Sequence, residues 1–288
     1  MTLVVDLAYN NMTTQNINGK DVTLPMDWST ISPLPDAVLT KATEWLNTDA
    51  SFTANWHALG ALNIPRAAYH YYHNGNIFYT SARQAKNFVN VILANGFKAS
   101  DFFVCDNEEK DSHGTPLVSM SETLDWFYNV QVGLGLTDYS RFLLYSTADI
   151  LNNLNLSKLN AAQLAILKQI RIWVAGYPNT APSGADGQPS GDLVSVPKAY
   201  QVSAPYGATI LWQYAESVPN VSNIPGGVDL NQIDAAFLKE WQAGAAPISA
   251  PITPIPAPVT PNVLFPMKVV TIITQNPDGT FNFSSTRG

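Results

Sequence analysis

The sequence contains a single cysteine, so a disulfide bond within the chain is impossible. That residue, Cys105, follows an apolar run and precedes Asp106. Because an acidic neighbour raises the pKa of a thiol, we interpret Cys105 as a buried packing residue. The alternative, a catalytic nucleophile, would need a nearby base and an electropositive site. Uninterrupted apolar stretches of about 18 residues are also absent, which predicts no membrane span.

Positive charge is scarce as well. The chain carries 15 Lys and Arg residues against 22 Asp and Glu residues, which gives a net charge of −7. Because a nucleic-acid-binding protein presents a basic surface to the phosphates, we expect no nucleic-acid partner. The first residues, MTLVVDLAYNN, lack the basic region and the apolar region of a secretory signal peptide.

Residue spacing indicates neither a metal centre nor a cofactor site. His57, His73 and His113 show no metal-ligand spacing with one another or with Cys105. The sequence also lacks a glycine-rich phosphate-binding loop. We therefore predict no metal and no cofactor.

Short apolar segments do recur along the chain, with helical patterns between them. Near-continuous apolar runs predict strands that are buried on both faces, and their alternation with helices predicts an α/β fold with a closed barrel. The pattern indicates five β/α units followed by three strands with short connections and a last helix. The predicted strands cover residues 3–8, 37–43, 66–72, 101–108, 141–146, 171–177, 209–215 and 226–231, and the predicted helices cover 81–96, 119–135, 157–170 and 232–242.

The composition changes after the barrel, which we assign to residues 1–244. Residues 247–266 contain seven prolines in twenty residues, so residues 245–266 are predicted to be an extended linker. Residues 267–288 resemble a short β-hairpin around an Asn-Pro-Asp-Gly turn. Because a lone hairpin is marginally stable in water, we expect this tail to dock on the main domain, to self-associate with another chain, or to be part of a larger module.

Four carboxylates lie where a barrel holds its functional groups, at one rim. Asp106 and Glu108 end the fourth strand and share one side of it. Asp6 lies in the first strand and Asp229 in the last, and a closed barrel makes those strands neighbours. Crowded carboxylates repel, so one keeps its proton while another stays ionised, as glycosidic bond cleavage requires. The alternatives are a divalent-metal site or solvated loop ends.

Aromatic side chains near the predicted strand ends are candidates for binding sugar rings, which have apolar C–H faces. The alternative for each is core filling, above all for Trp173 and Trp212. His70 would hydrogen-bond a substrate, brace a carboxylate or serve as a structural histidine. The candidate substrate-binding residues are Tyr9, Trp45, Tyr69, His70, Tyr71, Tyr177, Trp212 and Gln213.

In order along residues 3–243, these segments resemble the glycoside hydrolase family 25 lysozymes, also called Chalaropsis-type lysozymes. The chain departs from the family pattern at Ala8, where a serine is usual, and at Trp45, where glycine is common. The segments that carry the resemblance are VVDLAYNN, KATEWLNTDASFTANWHALGALNIPRAAYHYY, FFVCDNE, LLYS, IWVAGY and LWQYAESVPNVSNIPGGVDLN.

The resemblance implies a (β/α)5β3 barrel and N-acetylmuramidase activity. Such an enzyme cuts the β-1,4 bond between N-acetylmuramic acid and N-acetylglucosamine in bacterial peptidoglycan, with retention of configuration. Carried over by motif, Glu108 is the general acid and base. Asp106 stabilises positive charge or positions the acetamido group of the substrate. Asp6 and Asp229 match two further aspartates of the cleft.

The same resemblance suggests a phage or prophage endolysin. Without a signal peptide, such a protein is expected to be made in the cytoplasm and delivered to the cell wall by a holin or a virion, or to be secreted. The alternative is a catalytically weak or inactive module of a phage particle that binds peptidoglycan or has a structural role.

Overall fold

The computed structural model describes residues 2–18, 20–74, 78–178, 193, 195–203 and 205–245, together with two further strands within 269–287. The chain divides into two compact units, residues 1–247 and residues 248–288. Within the described residues, no helix has the length and apolar character that crossing a bilayer would require.

The first unit contains eleven strands and six α-helices among its described residues. In chain order these are β1 (Val4–Leu7), β2 (Thr13–Ile17), β3 (Lys20–Leu24), β4 (Ala37–Glu44), β5 (Asn47–Thr48), α1 (Phe52–Leu62), β6 (Arg66–Tyr71), α2 (Ser81–Asn95), β7 (Phe102–Asp106), α3 (Met120–Leu134), β8 (Phe142–Thr147), α4 (Ala148–Asn153), α5 (Ala161–Leu167), β9 (Arg171–Ala175), β10 (Thr209–Pro219), β11 (Gly227–Ile233) and α6 (Ala235–Ala245).

Eight of these strands form a closed barrel. The order is β1-β11-β10-β9-β8-β7-β6-β4, and β4 pairs with β1 to close the ring. The predicted closed α/β barrel is therefore confirmed. One strand runs against the others, because β11 pairs antiparallel with both β10 and β1. Residues 220–226 join β10 to β11, and so short a connection permits a hairpin but not a parallel crossover.

The count of five β/α units is not confirmed. Between β1 and β4 the described residues form the hairpin β2–β3 instead of an α-helix. Helix α1, for which the sequence pattern predicted no residue range, follows β5. Its buried face consists of Phe52, Trp56 and Leu59 with the polar Asn55 among them, and this residue interrupts the apolar stripe. The Asn55 side chain accepts a hydrogen bond from Trp28 Nε1 at 3.3 Å.

The other predicted helices are present with adjusted ends. The capping box of Ser119 and Glu122 begins α3, and Gly135 ends it in a left-handed conformation. Helix α5 is shorter than predicted because residues 156–158 form a separate 3₁₀ turn. Helix α6 starts later than predicted because β11 continues to Ile233.

Side chains alternate between two buried layers along the barrel strands, as β7 illustrates. In β7, Phe102 and Val104 belong to the inner layer, which fills the barrel. Phe103 and Cys105 belong to the outer layer between the barrel and its helices. Because residues two apart share a face of a strand, Asp106 continues the inner series at the rim. Cys105 is buried and free, as expected of a packing residue.

The second unit contains an antiparallel pair of strands, β12 (Val269–Gln275) and β13 (Phe281–Arg287). Their register runs from Val269 opposite Arg287 to Gln275 opposite Phe281. The predicted hairpin strands are thus present, whereas the predicted turn and the proline-rich linker lie outside the described residues.

Candidate active site

The carboxyl ends of the parallel strands surround a cavity of about 180 Å³. We call it the acid cavity. The structure brings all four predicted carboxylates together there, although they come from three separate parts of the chain. Its lining consists of Asp6, Lys41, Tyr69, Tyr71, Asp106, Glu108, Tyr145, Trp173, Gln213 and Asp229.

Asp6 and Asp229 form a pair across two neighbouring strands. They are directly opposite each other in the antiparallel β1–β11 register. Because β11 is antiparallel, Asp229 reaches the rim from the start of its strand. Burial raises the pKa of Asp6 well above 3.8, and Asp229 adds to the rise. Burial also raises the pKa of Asp229, against a hydrogen bond from the Ser217 N–H at 2.7 Å.

Asp106, the last residue of β7, is more deeply buried than Glu108. Its Oδ1 atom is buried and has no hydrogen-bond partner among the described residues. Burial raises the pKa of Asp106 well above 3.8, and the charge of Glu108 raises it further, while Lys41 opposes the shift. A buried oxygen without a partner is costly, which indicates that this one is available to a group that enters the cavity.

Glu108 lies two residues beyond Asp106 and is partly exposed. Burial raises its pKa above 4.5, and the charge of Asp229 contributes. A hydrogen bond from Tyr71 opposes the rise. A carboxyl group that keeps its proton at higher pH, and that solvent still reaches, has the properties of a general acid.

Gln213 connects the two sides of the acid cavity. Its Oε1 accepts hydrogen bonds from the hydroxyls of Tyr145 at 2.6 Å and Tyr177 at 2.5 Å. The amide nitrogen is thereby directed to the acids, and it donates to Asp6 Oδ2 at 3.0 Å and to Asp229 Oδ2 at 3.4 Å. The tyrosines thus fix an amide that holds the aspartate pair in place.

A larger groove lies next to the acid cavity. It has a volume of about 740 Å³ and shares Lys41 with the acid cavity. Of the predicted substrate-binding residues, Tyr9 and Trp45 line this groove. Three other predicted substrate-binding residues line the acid cavity, namely Tyr69, Tyr71 and Gln213. Tyr177 contacts Gln213.

Two predicted substrate-binding residues lie elsewhere, and their assignment is corrected. His70 is fully buried in the outer layer, where its ring stacks on Trp126 with centroids 5.5 Å apart. Trp212 is also buried in the outer layer, and its Nε1 donates to the carbonyl oxygen of Gly176 at 2.9 Å. Both belong to the face of their strand that points away from the barrel interior, so neither lines the acid cavity.

The imidazole of His70 is satisfied at both nitrogens. Its Nδ1 lies 2.7 Å from Thr43 Oγ1, and its Nε2 lies 3.1 Å from Gln84 Oε1. The Gln84 amide nitrogen donates to two carbonyl groups, so its oxygen accepts from His70. Burial lowers the pKa of His70 from 6.5 to about 3.

This histidine is expected to destabilise the fold in acid. Between pH 6.5 and about 3 the unfolded chain binds a proton at His70 and the folded chain does not. The free energy of unfolding therefore falls as the pH decreases, by up to about 1.4 kcal/mol per pH unit from this group. Chemical denaturation of the wild type and of His70→Asn across this range measures the difference in slope. Identical slopes would refute the assignment.

Three contributors, Lys41, Tyr145 and Asn231, were not predicted as site residues, and Trp173 was considered only as an aromatic residue that sugar binding or core filling would explain. Lys41, Tyr145 and Trp173 line the acid cavity. Asn231 donates to Asp6 Oδ2 at 3.2 Å and accepts from Trp173 Nε1 at 2.7 Å. Strand alternation is the signal that would have found them, since Asn231 is two residues from Asp229 and Tyr145 is two residues from the buried Leu143. Within the described residues, no group of three or more His, Cys, Asp or Glu residues is arranged to hold a metal ion.

A sequence model described as "Glycosyl hydrolases family 25" matches residues 21–222. The chain belongs to glycosyl hydrolase family 25. As a family 25 member it is a glycoside hydrolase, in agreement with the resemblance found in the sequence. The matched range contains Asp106 and Glu108, whereas Asp6 and Asp229 lie outside it, so the barrel geometry is what adds them to the cluster.

Solved structures share the family 25 fold. The chain is similar to the catalytic domain of endolysin ply40 from bacteriophage P40 of Listeria monocytogenes, with 19% identity, coverage of 84% of this chain and 97% of that chain, and a TM-score of 0.52. It is similar to the bacterial lysozyme of Streptomyces coelicolor, with 22% identity, 85% and 98% coverage, and a TM-score of 0.54. It is also similar to a family 25 glycosyl hydrolase of Bacillus anthracis, with 17% identity, 84% and 93% coverage, and a TM-score of 0.54. No curated protein sequence matches the chain.

Proposed function

We propose that this family 25 enzyme is a peptidoglycan hydrolase that cuts the β-1,4 bond between N-acetylmuramic acid and N-acetylglucosamine. The observation that carries the proposal is the acid cavity, in which Asp106 and Glu108 lie together at the rim, beside an open groove. The similarity to a structure named as a bacterial lysozyme and to one named as a phage endolysin supports the choice of substrate.

In the proposed mechanism, the protonated Glu108 donates its proton to the glycosidic oxygen as the bond to the anomeric carbon breaks. Positive charge develops on the sugar, and the buried carboxylate of Asp106 stabilises it or positions the acetamido group of the substrate. Glu108, now ionised, takes a proton from the water that attacks the anomeric carbon. In the first displacement the anomeric carbon forms a bond to the Asp106 carboxylate or to the acetamido oxygen of the substrate as the bond to the leaving sugar breaks. In the second displacement water replaces that group, and two displacements at one carbon give net retention, which belongs to the same proposal.

Tyr145 and Tyr71 have a defined part in this mechanism. The Tyr71 hydroxyl hydrogen-bonds to Glu108 and fixes the position of its carboxyl group, whereas the Tyr145 hydroxyl donates its single proton to Gln213. The Asp6–Asp229 pair, held by Gln213, adds negative charge to the cavity. That charge helps Glu108 to keep its proton and favours the cationic transition state.

Digestion of purified cell walls tests the proposal. We expect the turbidity of the suspension to fall and reducing sugar ends to appear in proportion, because each cut glycosidic bond yields one reducing end. The same activity is expected in the presence of a chelator, since the mechanism uses only carboxylates and water. Binding of the protein to walls without new reducing ends would instead favour the non-catalytic module. Loss of activity on chelation would favour a metal-dependent hydrolase.

A further inference from the structure

Trp45 has a backbone conformation that bulky residues rarely adopt. It is the first residue of the two-residue turn between β4 and β5, and its φ angle is +53°. Glycine is the residue that adopts this conformation without steric cost. A large side chain with positive φ is an outlier that persists only where the surroundings hold it, and such outliers concentrate at ligand sites.

The surroundings of Trp45 do hold it. Its ring stacks on the imidazole of His73, with centroids 4.0 Å apart and planes 8° from parallel. That imidazole is fixed at both nitrogens, because Nε2 contacts Glu44 Oε1 at 2.9 Å and Nδ1 contacts Glu109 Oε1 at 2.6 Å. Tyr79 packs edge-on against the indole with a centroid distance of 4.7 Å. The indole is therefore positioned before any ligand arrives.

This fixed indole lies between two open spaces. Trp45 lines the groove of about 740 Å³ and also a second cavity of about 260 Å³. The groove has the volume of typical small-molecule sites, about 300–1,000 Å³, whereas the acid cavity of about 180 Å³ is smaller. Tyr9 also lines the groove and is 64% exposed, and its backbone N–H donates to Asp49 Oδ2 at 3.1 Å. Two aromatic side chains and several polar groups thus line one groove.

We propose that this groove, which we call the Trp45 groove, is a saccharide-binding subsite separate from the bond that is cut. A pyranose ring would lie against the indole of Trp45 through its apolar C–H face. Asn47, Thr48 and Asp49 also line the groove and would hydrogen-bond the hydroxyl and acetamido groups. Because Lys41 lines both spaces, one glycan chain would occupy the acid cavity and the Trp45 groove together. This inference rests on the proposed function.

The subsite predicts that affinity rises with the length of the glycan. The probes are a peptide-free disaccharide and a peptide-free hexasaccharide of alternating N-acetylglucosamine and N-acetylmuramic acid. Calorimetry with Glu108→Gln prevents cleavage during the titration. We expect Trp45→Gly in that background to lower hexasaccharide affinity by about 10-fold or more, since a buried aromatic contact is lost, and the preference over the disaccharide to shrink. Trp45→Phe, which keeps an aromatic face, is expected to restore part of the affinity.

Stability distinguishes a binding role from a structural role. Because Trp45→Gly relieves an unfavourable φ angle, we expect its melting temperature to equal or exceed that of the parent. Tyr128→Ala is the matched control, as Tyr128 is an aromatic residue of α3 that is 56% exposed. An unchanged length preference in folded Trp45→Gly would overturn the subsite. If Trp45→Gly is unstable, the affinity of Trp45→Phe is measured instead. A Trp45→Phe protein that is as stable as the parent but does not regain hexasaccharide affinity would also overturn the subsite.

Failure of the subsite and failure of the proposed function give different results. If the wild-type protein releases reducing ends from walls in a Glu108-dependent manner while Trp45→Gly keeps its length preference, only the subsite is wrong. If the wild-type protein releases none and the Glu108→Gln protein binds neither saccharide, the proposed function and the subsite both fail.

Discussion

Replacing Glu108 with glutamine is expected to lower the rate of wall digestion by about 10²–10⁴-fold or more, the usual contribution of a general acid and base. Glutamine keeps the size of the side chain and can still form hydrogen bonds, but it has no acidic proton to transfer to the glycosidic oxygen. Release of reducing ends from purified walls, measured as an initial rate, gives the ratio directly. The pH profile supplies a second readout. Because burial raises the pKa of Glu108, the wild-type rate should fall as the pH rises through that pKa.

The matched control for this variant is Glu240→Gln. Glu240 is an exposed residue of α6 that pairs with Arg171 at 3.0 Å, and it lies outside the acid cavity. We expect it to digest walls at the wild-type rate, because an exposed ion pair contributes little to stability. If Glu108→Gln digests walls as fast as Glu240→Gln does, Glu108 is not the general acid.

Asp106→Asn is expected to abolish most of the activity and to stabilise the fold at pH 7. Loss of a charge that faces the transition state typically costs about 10²–10³-fold in rate. The stability gain follows from burial, which raises the pKa of Asp106 well above 3.8. An acid whose pKa is higher in the folded chain than in the unfolded chain stabilises the fold most at a pH below its pKa in the unfolded chain. This stabilisation is lost as the pH rises from the pKa in the unfolded chain to the pKa in the folded chain. Asparagine carries no charge at any pH and avoids the loss.

Thermal unfolding at pH 7 and at pH 3 measures this effect. The melting temperature of Asp106→Asn should exceed that of the wild type at pH 7, and the difference should shrink at pH 3, where Asp106 is protonated in both states. Asp138→Asn is the control of opposite sign, since hydrogen bonds from Ser140 lower the pKa of that exposed carboxylate. A lower melting temperature for Asp106→Asn at pH 7 would show that its charge stabilises the fold.

Much of the barrel could be predicted because its strands are short apolar runs. All eight predicted strands overlap a barrel strand, from β1 to β11. Closure of the ring also predicts that Asp6 is next to Asp229, and the two residues are opposite each other in the β1–β11 register. What the apolar pattern could not reveal was helix α1, in which the buried Asn55 breaks the stripe.

The errors at the site have one physical cause, which is the two-residue alternation along a strand. His70 lies between Tyr69 and Tyr71, and Trp212 precedes Gln213. Tyr69, Tyr71 and Gln213 line the acid cavity, so the residues between them must face the outer layer. Nearness to a strand end does not distinguish the two faces of a strand, whereas Asp106 lies two residues after the inner-layer Val104 and lines the acid cavity.

Other features of the site depend on distant contacts and have no local signal. Gln213 is held by hydroxyls from Tyr145 and Tyr177, which lie on separate segments of the chain. The conformation of Trp45 is a property of the folded turn and of the His73 ring beneath it. A single sequence names such residues only as aromatic or polar, and the barrel determines which of them meet.

The identity of the newly formed reducing end tests the central claim most directly. Fragments released from one defined peptidoglycan are reduced with borohydride and analysed by mass spectrometry, with the wild type and Glu108→Gln in parallel. Our account predicts that wild-type fragments end in reduced N-acetylmuramic acid and that the variant releases almost none. Fragments that end in reduced N-acetylglucosamine, or equal release by the two proteins, would contradict it.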